Sequence, residues 1–334
     1  PIDDDRLDNI NEYIRTDTVT VVIEAVANVW NADRTEYFIS SNLSSTAQFT
    51  KIAAVTFPSP SFSNTELIWN APSNVSGAVS YQVFDGDGYR YDGRIDGTRM
   101  DLSTLEAGIY TFQVKCIGDG TAYINSDLSV SVTVEKLATP VVTKAETLYQ
   151  WQGVTGASTY VVRVDGELAA TIVHEGAAKT YEYKPAFDSV KTYTVTVTAV
   201  GDGGYEFIDS VPFTLTQEVK QLSAPTITSV SYDKEAYQAD GNIVISVSTE
   251  GWELDTGYRY IINDVVVCES TTQSSYSYNA KNKGAHTAAV IALGGKFDAN
   301  GVYYIDSPRA GGNDTAKITL FDAPNRSSLS ITKD

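Results

Sequence analysis

An all-β chain of tandem sandwiches follows from three observations. A tetrapeptide of an aromatic residue, Ile, a small polar residue and Ser occurs four times, as Phe38-Ile39-Ser40-Ser41, Tyr123-Ile124-Asn125-Ser126, Phe207-Ile208-Asp209-Ser210 and Tyr304-Ile305-Asp306-Ser307, at intervals of 85, 84 and 97 residues. The composition, with 24 Gly, 21 Tyr and abundant Val, Thr and Ser, favours strands, because β-branched and aromatic side chains suit a pleated surface. No long stretch carries apolar residues at helical spacing. A period near 85 is too long for a solenoid, whose units of roughly 20–50 residues cannot bury a core alone. It suits domains of roughly 50–200 residues, each with its own core.

For 334 residues, length alone predicts two or three domains. The repeat predicts three complete ones, at 55–136, 137–220 and 221–320, flanked by closing strands of a partial domain at 1–54 and the start of a further repeat, or a tail, at 321–334. The formal charge of −18 and pI near 4.4 exclude a nucleic-acid partner, which needs a basic footprint, and docking on an anionic membrane. They fit a soluble chain whose units repel one another.

Cys116 and Cys268 are the two cysteines, and the repeat separates them into different domains, which speaks against a disulfide between them. Cys116 stands where other copies have Ala, the position of a small buried side chain. No signal peptide, initiating Met or run of 18 apolar residues is present, so no membrane insertion is expected and the sequence reads as a mature or excised piece of a longer protein.

Ahead of each tetrapeptide runs an alternating strand ending in a small residue. These are Val19 to Ala25, Tyr110 to Cys116, Tyr193 to Ala199 and His286 to Ala292, and the period of two puts one face in a core. Gly118-Asp119-Gly120 and Gly201-Asp202-Gly203 follow as turns able to take positive φ. A proline marks each entrance: Pro58, Pro140, Pro225 and Pro324. Proline there blocks ladder bonding on an edge and stiffens the junction. Leu67 to Trp69 and Leu148 to Trp151 make a second strand, Ala78 to Val83 and Thr159 to Val164 a third.

This combination resembles the fibronectin type III domain, an immunoglobulin-like β-sandwich, in its bacterial and phage-encoded forms. The likeness rests on the entrance prolines, Trp69 and Trp151 on the second strand, Tyr81 and Tyr160 on the third, and Tyr110 and Tyr193 opening the penultimate long strand, all expected to be largely buried. It covers about residues 55–320 and is strongest for the second complete domain. In the third, Ile243-Val244-Ile245 fills the Trp slot, Trp252 falls in the following turn, His286 stands where the others have Tyr, and extra residues lie around 231–241 and 297–303.

No catalytic constellation emerges. Nucleophilic catalysis needs a base beside its nucleophile, and His174 and His286 lie in different domains. Two His and two Cys scattered along the chain give no zinc set. Phosphate loops and dinucleotide fingerprints are missing, so no cofactor is expected. The acidic run holding Asp85, Asp87 and Asp92 offers candidate calcium ligands, but it lacks the twelve-residue loop with a closing Glu, and Asp-Gly pairs are ordinary hairpin residues. Tyr89 and Tyr91, with Tyr258 and Tyr260, are candidate exposed platforms for sugar rings, one of each pair being expected to face outwards. Asn42, Asn74, Asn313 and Asn325 open glycosylation sequons in form.

The resemblance implies a non-catalytic structural and binding array that extends or assembles an extracellular surface protein or fibre. Its partners would be neighbouring domains or subunits of the same assembly, with glycans or a cell-surface protein as further ligands. Two alternatives are a bacteriophage virion component, such as a capsid fibre or tail-associated protein, and accessory modules of a secreted polysaccharide-degrading enzyme. Successive domains would meet end to end through small contacts at Leu137–Pro140 and Leu222–Pro225.

Overall fold

The computed structural model describes residues 18–24, 28–77, 79–91, 93–235, 240–248, 254, 257–312 and 316–321. Asp92, Trp252, the sequons at Asn313 and Asn325, and most of 321–334 lie outside them. Among the described residues there is no α-helix, and the chain is a tandem array of immunoglobulin-like β-sandwiches.

Three repeats share one topology of two facing sheets. In the second repeat, Phe62–Ser63, Glu66–Ile68 and Arg99–Asp101 form a three-stranded sheet. Ser80–Asp85, Gly108–Ile117 and Val132–Lys136 form the other. The third repeat pairs Thr143–Ala145, Leu148–Gln152 and Thr180–Tyr183 in one sheet. Its second sheet runs Glu167–Val173, Thr159–Val164, Thr192–Val200 and Phe213–Gln221. The fourth repeat sets Thr226–Tyr232, Asn242–Ser248 and Ser275–Asn279 against Val265–Thr271, Tyr258–Ile262 and Gly284–Ala292, the last also pairing the closing strand Lys317–Leu320. The long strands alternate, so every second side chain enters a core, as in Thr192–Val200, where Tyr193, Val195, Val197 and Ala199 are buried.

Each repeat has its own apolar cluster, built around equivalent residues. Trp69 meets Tyr81 edge-on with ring centroids 5.4 Å apart, and Trp151 meets Tyr160 in the same way at 5.4 Å. Such pairs contribute about 0.5–1.5 kcal/mol beyond their burial. In the fourth repeat Ile243 and Ile245 are fully buried where the Trp would stand.

Tyr110 is half-buried and Tyr193 is buried, and each hydroxyl reaches a carbonyl four residues back, Glu106 O at 3.0 Å and Ser189 O at 3.4 Å. His286 keeps that contact by other means: its Nε2 lies 2.9 Å from Asn282 O. A carbonyl only accepts, so Nε2 carries the proton. Nδ1 then accepts from Asn263 Nδ2 at 3.2 Å, while Asn263 Oδ1 accepts from Thr287 N.

Two sequence expectations fail here. Tyr258 is buried, only 2 % exposed, and Tyr260 is buried beside it. Residues two apart on a strand share a face, so both turn inwards while Arg259 between them reaches Glu269. Tyr258 pairs with Ala292 as Tyr81 pairs with Cys116 and Tyr160 with Ala199, which makes it the third-strand core tyrosine of its repeat. The junctions also exceed the small linker contacts expected at the prolines.

Among the described residues the first repeat shows closing elements only. Thr18–Val21 pairs Ala47–Lys51, and Asn28–Trp30 pairs Tyr37–Ile39 as a hairpin. Val21, Val22 and Ile23, in the segment that aligns with the buried Phe112 and Val114, are exposed.

Candidate functional site

The repeated tetrapeptide is the most elaborated feature of the structure, and it forms the junctions between repeats. In each docked copy the aromatic residue and Ile add, in parallel, to the closing strand of the preceding repeat. Tyr123 and Ile124 pair with Thr50 and Lys51. Phe207 and Ile208 pair with Glu135 and Lys136. Tyr303 to Ile305 pair with Val219 to Gln221. One backbone bond recurs at all three: Ile52 N donates to Ile124 O at 3.2 Å, Leu137 N to Ile208 O at 3.1 Å, and Leu222 N to Ile305 O at 3.2 Å. Ile52, Leu137 and Leu222 are all buried by this closure.

The two polar residues of the tetrapeptide hold it on its own repeat. Cys116 N donates to Ser126 Oγ, Ala199 N to Ser210 Oγ, and Ala292 N to Ser307 Oγ, at 2.9, 3.0 and 2.9 Å. These hydroxyls extend the ladder past the last backbone partner of the long strand. Two residues on, Gly118 N, Gly201 N and Gly294 N donate to the side-chain oxygens of Asn125, Asp209 and Asp306 at 2.9, 3.0 and 2.8 Å. Glycine is required there by close approach: a Cβ at Gly201 would lie 2.2 Å from Phe207 O, and one at Gly118 2.3 Å from Tyr123 O. A buried donor left without its acceptor costs about 1–3 kcal/mol, which is the energetic reason for each Ser, whose bond is buried.

Loops between the long strand and the tetrapeptide are drawn in by a carboxylate. Asp119 Oδ1 accepts from the N–H groups of Thr121, Ala122 and Tyr123. Desolvation raises the Asp119 pKa, yet those backbone donors outweigh it and bring it down to about 2. Asp202 Oδ1 does the same for Gly204, Tyr205 and Phe207. Gly120 and Gly203 take φ of 70° and 87° as the turns demand.

Side chains reinforce the backbone pairing. Ile208 is fully buried in the core of the second repeat, although it belongs in sequence to the third. Lys136 is 1 % exposed, and its Nζ donates to Leu102 O at 3.2 Å. Burial lowers its pKa, opposed by the nearby charges of Asp209 from the next repeat and Asp101. At the last junction the hairpin of Lys296–Phe297 and Tyr303–Ile305 inserts an aromatic pair. Phe297 and Tyr303 lie 5.1 Å apart and contact Tyr149 and Phe187 of the third repeat at 5.2 and 5.0 Å. Lys144 Nζ donates to Gly301 O at 2.7 Å, and the fully buried Gln217 donates to the same oxygen at 3.0 Å.

The remaining candidates are scattered. Asp85 Oδ1 accepts from Asp87 N and Tyr89 N, closing the hairpin that the Asp-Gly sequence suggests. Among the described residues no three His, Cys, Asp or Glu converge as a metal site. Tyr89 is 74 % exposed, whereas Tyr91 is half-buried with its ring 5.1 Å from Phe112. His174 Nδ1 lies 3.0 Å from Tyr160 Oη and its ring stacks on Tyr181. Cys116 is buried, which pushes its thiol up to about 11. The Asn74 side chain bridges Lys51 O and Ala53 N and so belongs to the first junction. A 430 Å³ cleft beside Trp151 and Pro140 has no titratable lining.

No family model and no curated protein matches the chain. Solved structures do. The FN1-FN3 domains of chicken CNTN1 match at 16 % identity over 78 % of this chain and 97 % of that one, with a TM-score of 0.25. Fibronectin(III)-like modules of Clostridium thermocellum CbhA match at 13 % identity over 69 % and 92 %, with a TM-score of 0.25. The central fibronectin-III array of RIM-binding protein matches at 14 % over 79 % and 97 %, with a TM-score of 0.19. Likenesses at that level leave the fold assignment to the sheets and cores described above.

Proposed function

We propose that this chain is a non-catalytic structural array in which sandwiches at 55–136, 137–220 and 221–320 are coupled into a stiff, extended spacer of a surface protein or fibre. The observation that carries the reading is the parallel addition of each tetrapeptide to the strand before it. A flexible tether needs only a linker. Backbone bonds, a shared core residue and a buried lysine at the junction instead fix the angle between neighbours. Acidic charge of one sign throughout favours an extended arrangement over a folded-back one. Such an array suits an extracellular or cell-surface setting, where its partners are neighbouring subunits of the same assembly.

Small-angle scattering tests this. A single globule of this length has a radius of gyration of about 20 Å by compact-domain scaling. Three units in line, each about 33 Å long as a ten-residue strand dictates, give about 29 Å. A value near 20 Å would refute the spacer.

A further inference from the structure

The three junctions come in two lengths, and the difference is matched on both of their sides. In the first two, the tetrapeptide docks one and two residues beyond the one opposite the start of the long strand. Phe49 faces Val19, and Thr50 and Lys51 receive; Val134 faces Tyr110, and Glu135 and Lys136 receive. In the third, Gln217 faces Tyr193, but Tyr304 and Ile305 pair with Lys220 and Gln221, three and four residues on. Two extra strand residues carry the docking point about 7 Å further out and leave every side chain on its own face. The docking side is longer in step. Tyr123 and Phe207 follow the small strand ends Cys116 and Ala199 by 7 and 8 residues, whereas Tyr304 follows Ala292 by 12. The added length is the hairpin of Lys296–Phe297 and Tyr303–Ile305, and Tyr303 pairs with Val219 in the lengthened stretch.

Two core replacements accompany the extra length. Leu67 and Tyr149 each stand two residues before the equivalent Trp69 and Trp151, and Val134 and Gln217 share the place opposite Tyr110 and Tyr193. An apolar pair in the second repeat is therefore a polar pair in the third, and all four side chains are buried. Tyr149 Oη donates to Gln217 Oε1 at 2.9 Å. Gln217 Nε2 donates to Glu218 O at 2.7 Å, within its own repeat, and to Gly301 O at 3.0 Å, in the turn of the inserted hairpin. An amide carries two N–H donors, so the second one finds its acceptor in the next repeat. Gly301 holds that turn at φ of 78°, a conformation suited to glycine.

We propose that Tyr149 and Gln217, with the lengthened closing strand, are specificity determinants that admit only a following repeat bearing the inserted hairpin. A docking half of the shorter kind brings no carbonyl to Gln217 and leaves a buried donor unpaired. Unpaired polar groups are a general means of refusing a wrong partner. The need for refusal is built into the array, because its repeats offer similar tetrapeptides to similar strands. Misassembly between neighbours is a characteristic failure of tandem repeats. The inference rests on the structural-array reading and adds which partner the end of the third repeat selects.

Hydrogen exchange at Leu222, whose N–H donates to Ile305 O, reports docking of the fourth repeat in the full chain. Spin labels at the exposed Val190 and Val265, with Cys116→Ala and Cys268→Ser, report its orientation. Deleting Asp298 to Gly301 leaves Tyr304 eight residues after Ala292, as Phe207 is after Ala199. That change should speed Leu222 exchange about tenfold or more and broaden the distance distribution. Shortening the receiving half as well, by deleting Val219 and Lys220 with Tyr149→Leu and Gln217→Val, should restore slow exchange and a narrow distribution. Gln217→Glu, which needs no deletion, turns a donor into an acceptor facing Gly301 O. It should speed Leu222 exchange about tenfold or more and that of Val195 and Val197 less. Three results would overturn the proposal: docking indifferent to the hairpin deletion, docking not recovered in a doubly shortened chain with native circular dichroism, or Gln217→Glu accelerating all three amides equally. If the doubly shortened chain does not fold, Gln217→Glu decides. Scattering of the unaltered chain reports the spacer independently, so a failed selection and a failed spacer are distinguishable.

Discussion

Ile208→Ala separates a junction that couples repeats from one that merely touches. Ile208 is fully buried in the core of the second repeat, packed in the cluster that holds Phe62, Leu102 and Val134. Truncating a buried Ile to Ala costs about 2–5 kcal/mol, the transfer of the lost methyl groups plus the cavity left behind. Because the cavity opens in the second repeat, the loss should fall there, on a residue that sequence assigns to the third. Hydrogen exchange with mass-spectrometric readout resolves the two. At about 3 kcal/mol, with each 1.4 kcal/mol giving tenfold, the core amides of Tyr110 to Cys116 should exchange about a hundredfold faster. Those of Tyr193 to Ala199 should accelerate by less than tenfold. Equal acceleration in both repeats, or acceleration confined to the third, would refute the reasoning.

Three further outcomes follow from single contacts. Ser210→Ala removes the acceptor of Ala199 N and should destabilise the third repeat by about 1–3 kcal/mol in urea unfolding, with Ser210→Thr recovering part of it. His286→Tyr should keep or raise stability by restoring the tyrosine found in the sister repeats, whereas His286→Ala should cost more than His174→Ala, because it empties a buried site and frees Asn282 O, a difference that thermal unfolding measures. Asp119 has a folded-state pKa held down to about 2, below the ordinary carboxylate value of 3.8, so its stabilising share is present above pH 3.8 and is lost as pH falls towards 2. Acid titration of Asp119→Asn should show a flatter stability profile across that window than the unaltered chain.

Much of the fold was legible in the sequence because it is local and periodic. Alternation located the long strands, and the tetrapeptide supplied a period that only a domain-sized unit explains. Trp69 and Trp151 are readable as core because each stands eleven residues after its entrance proline, and Tyr81 and Tyr160 because each sits on the alternating strand that follows. Tyr258 is not legible as core from the sequence: residues two apart on a strand share a face, and only its step to Ala292 through the ladder makes it the counterpart of Tyr81 and Tyr160. The role of the tetrapeptide was the larger omission. Its aromatic and Ile pair for only two or three residues, with a strand 72 to 84 residues earlier, and a pairing so short and so distant leaves no periodic trace. Its repetition is visible, and so is the Gly two residues beyond the small strand end in three of the four copies, but only the structure joins them as donor and acceptor.

The central claim is that tetrapeptide docking fixes neighbouring repeats in one orientation. Spin labels at the exposed Val130 and Val190, with Cys116→Ala and Cys268→Ser removing the native thiols, measure it across the junction of the second and third repeats. The account predicts one narrow distance distribution that broadens when Ile208→Asp undocks the strand. A broad distribution in the otherwise unaltered chain, unchanged by Ile208→Asp, would contradict it.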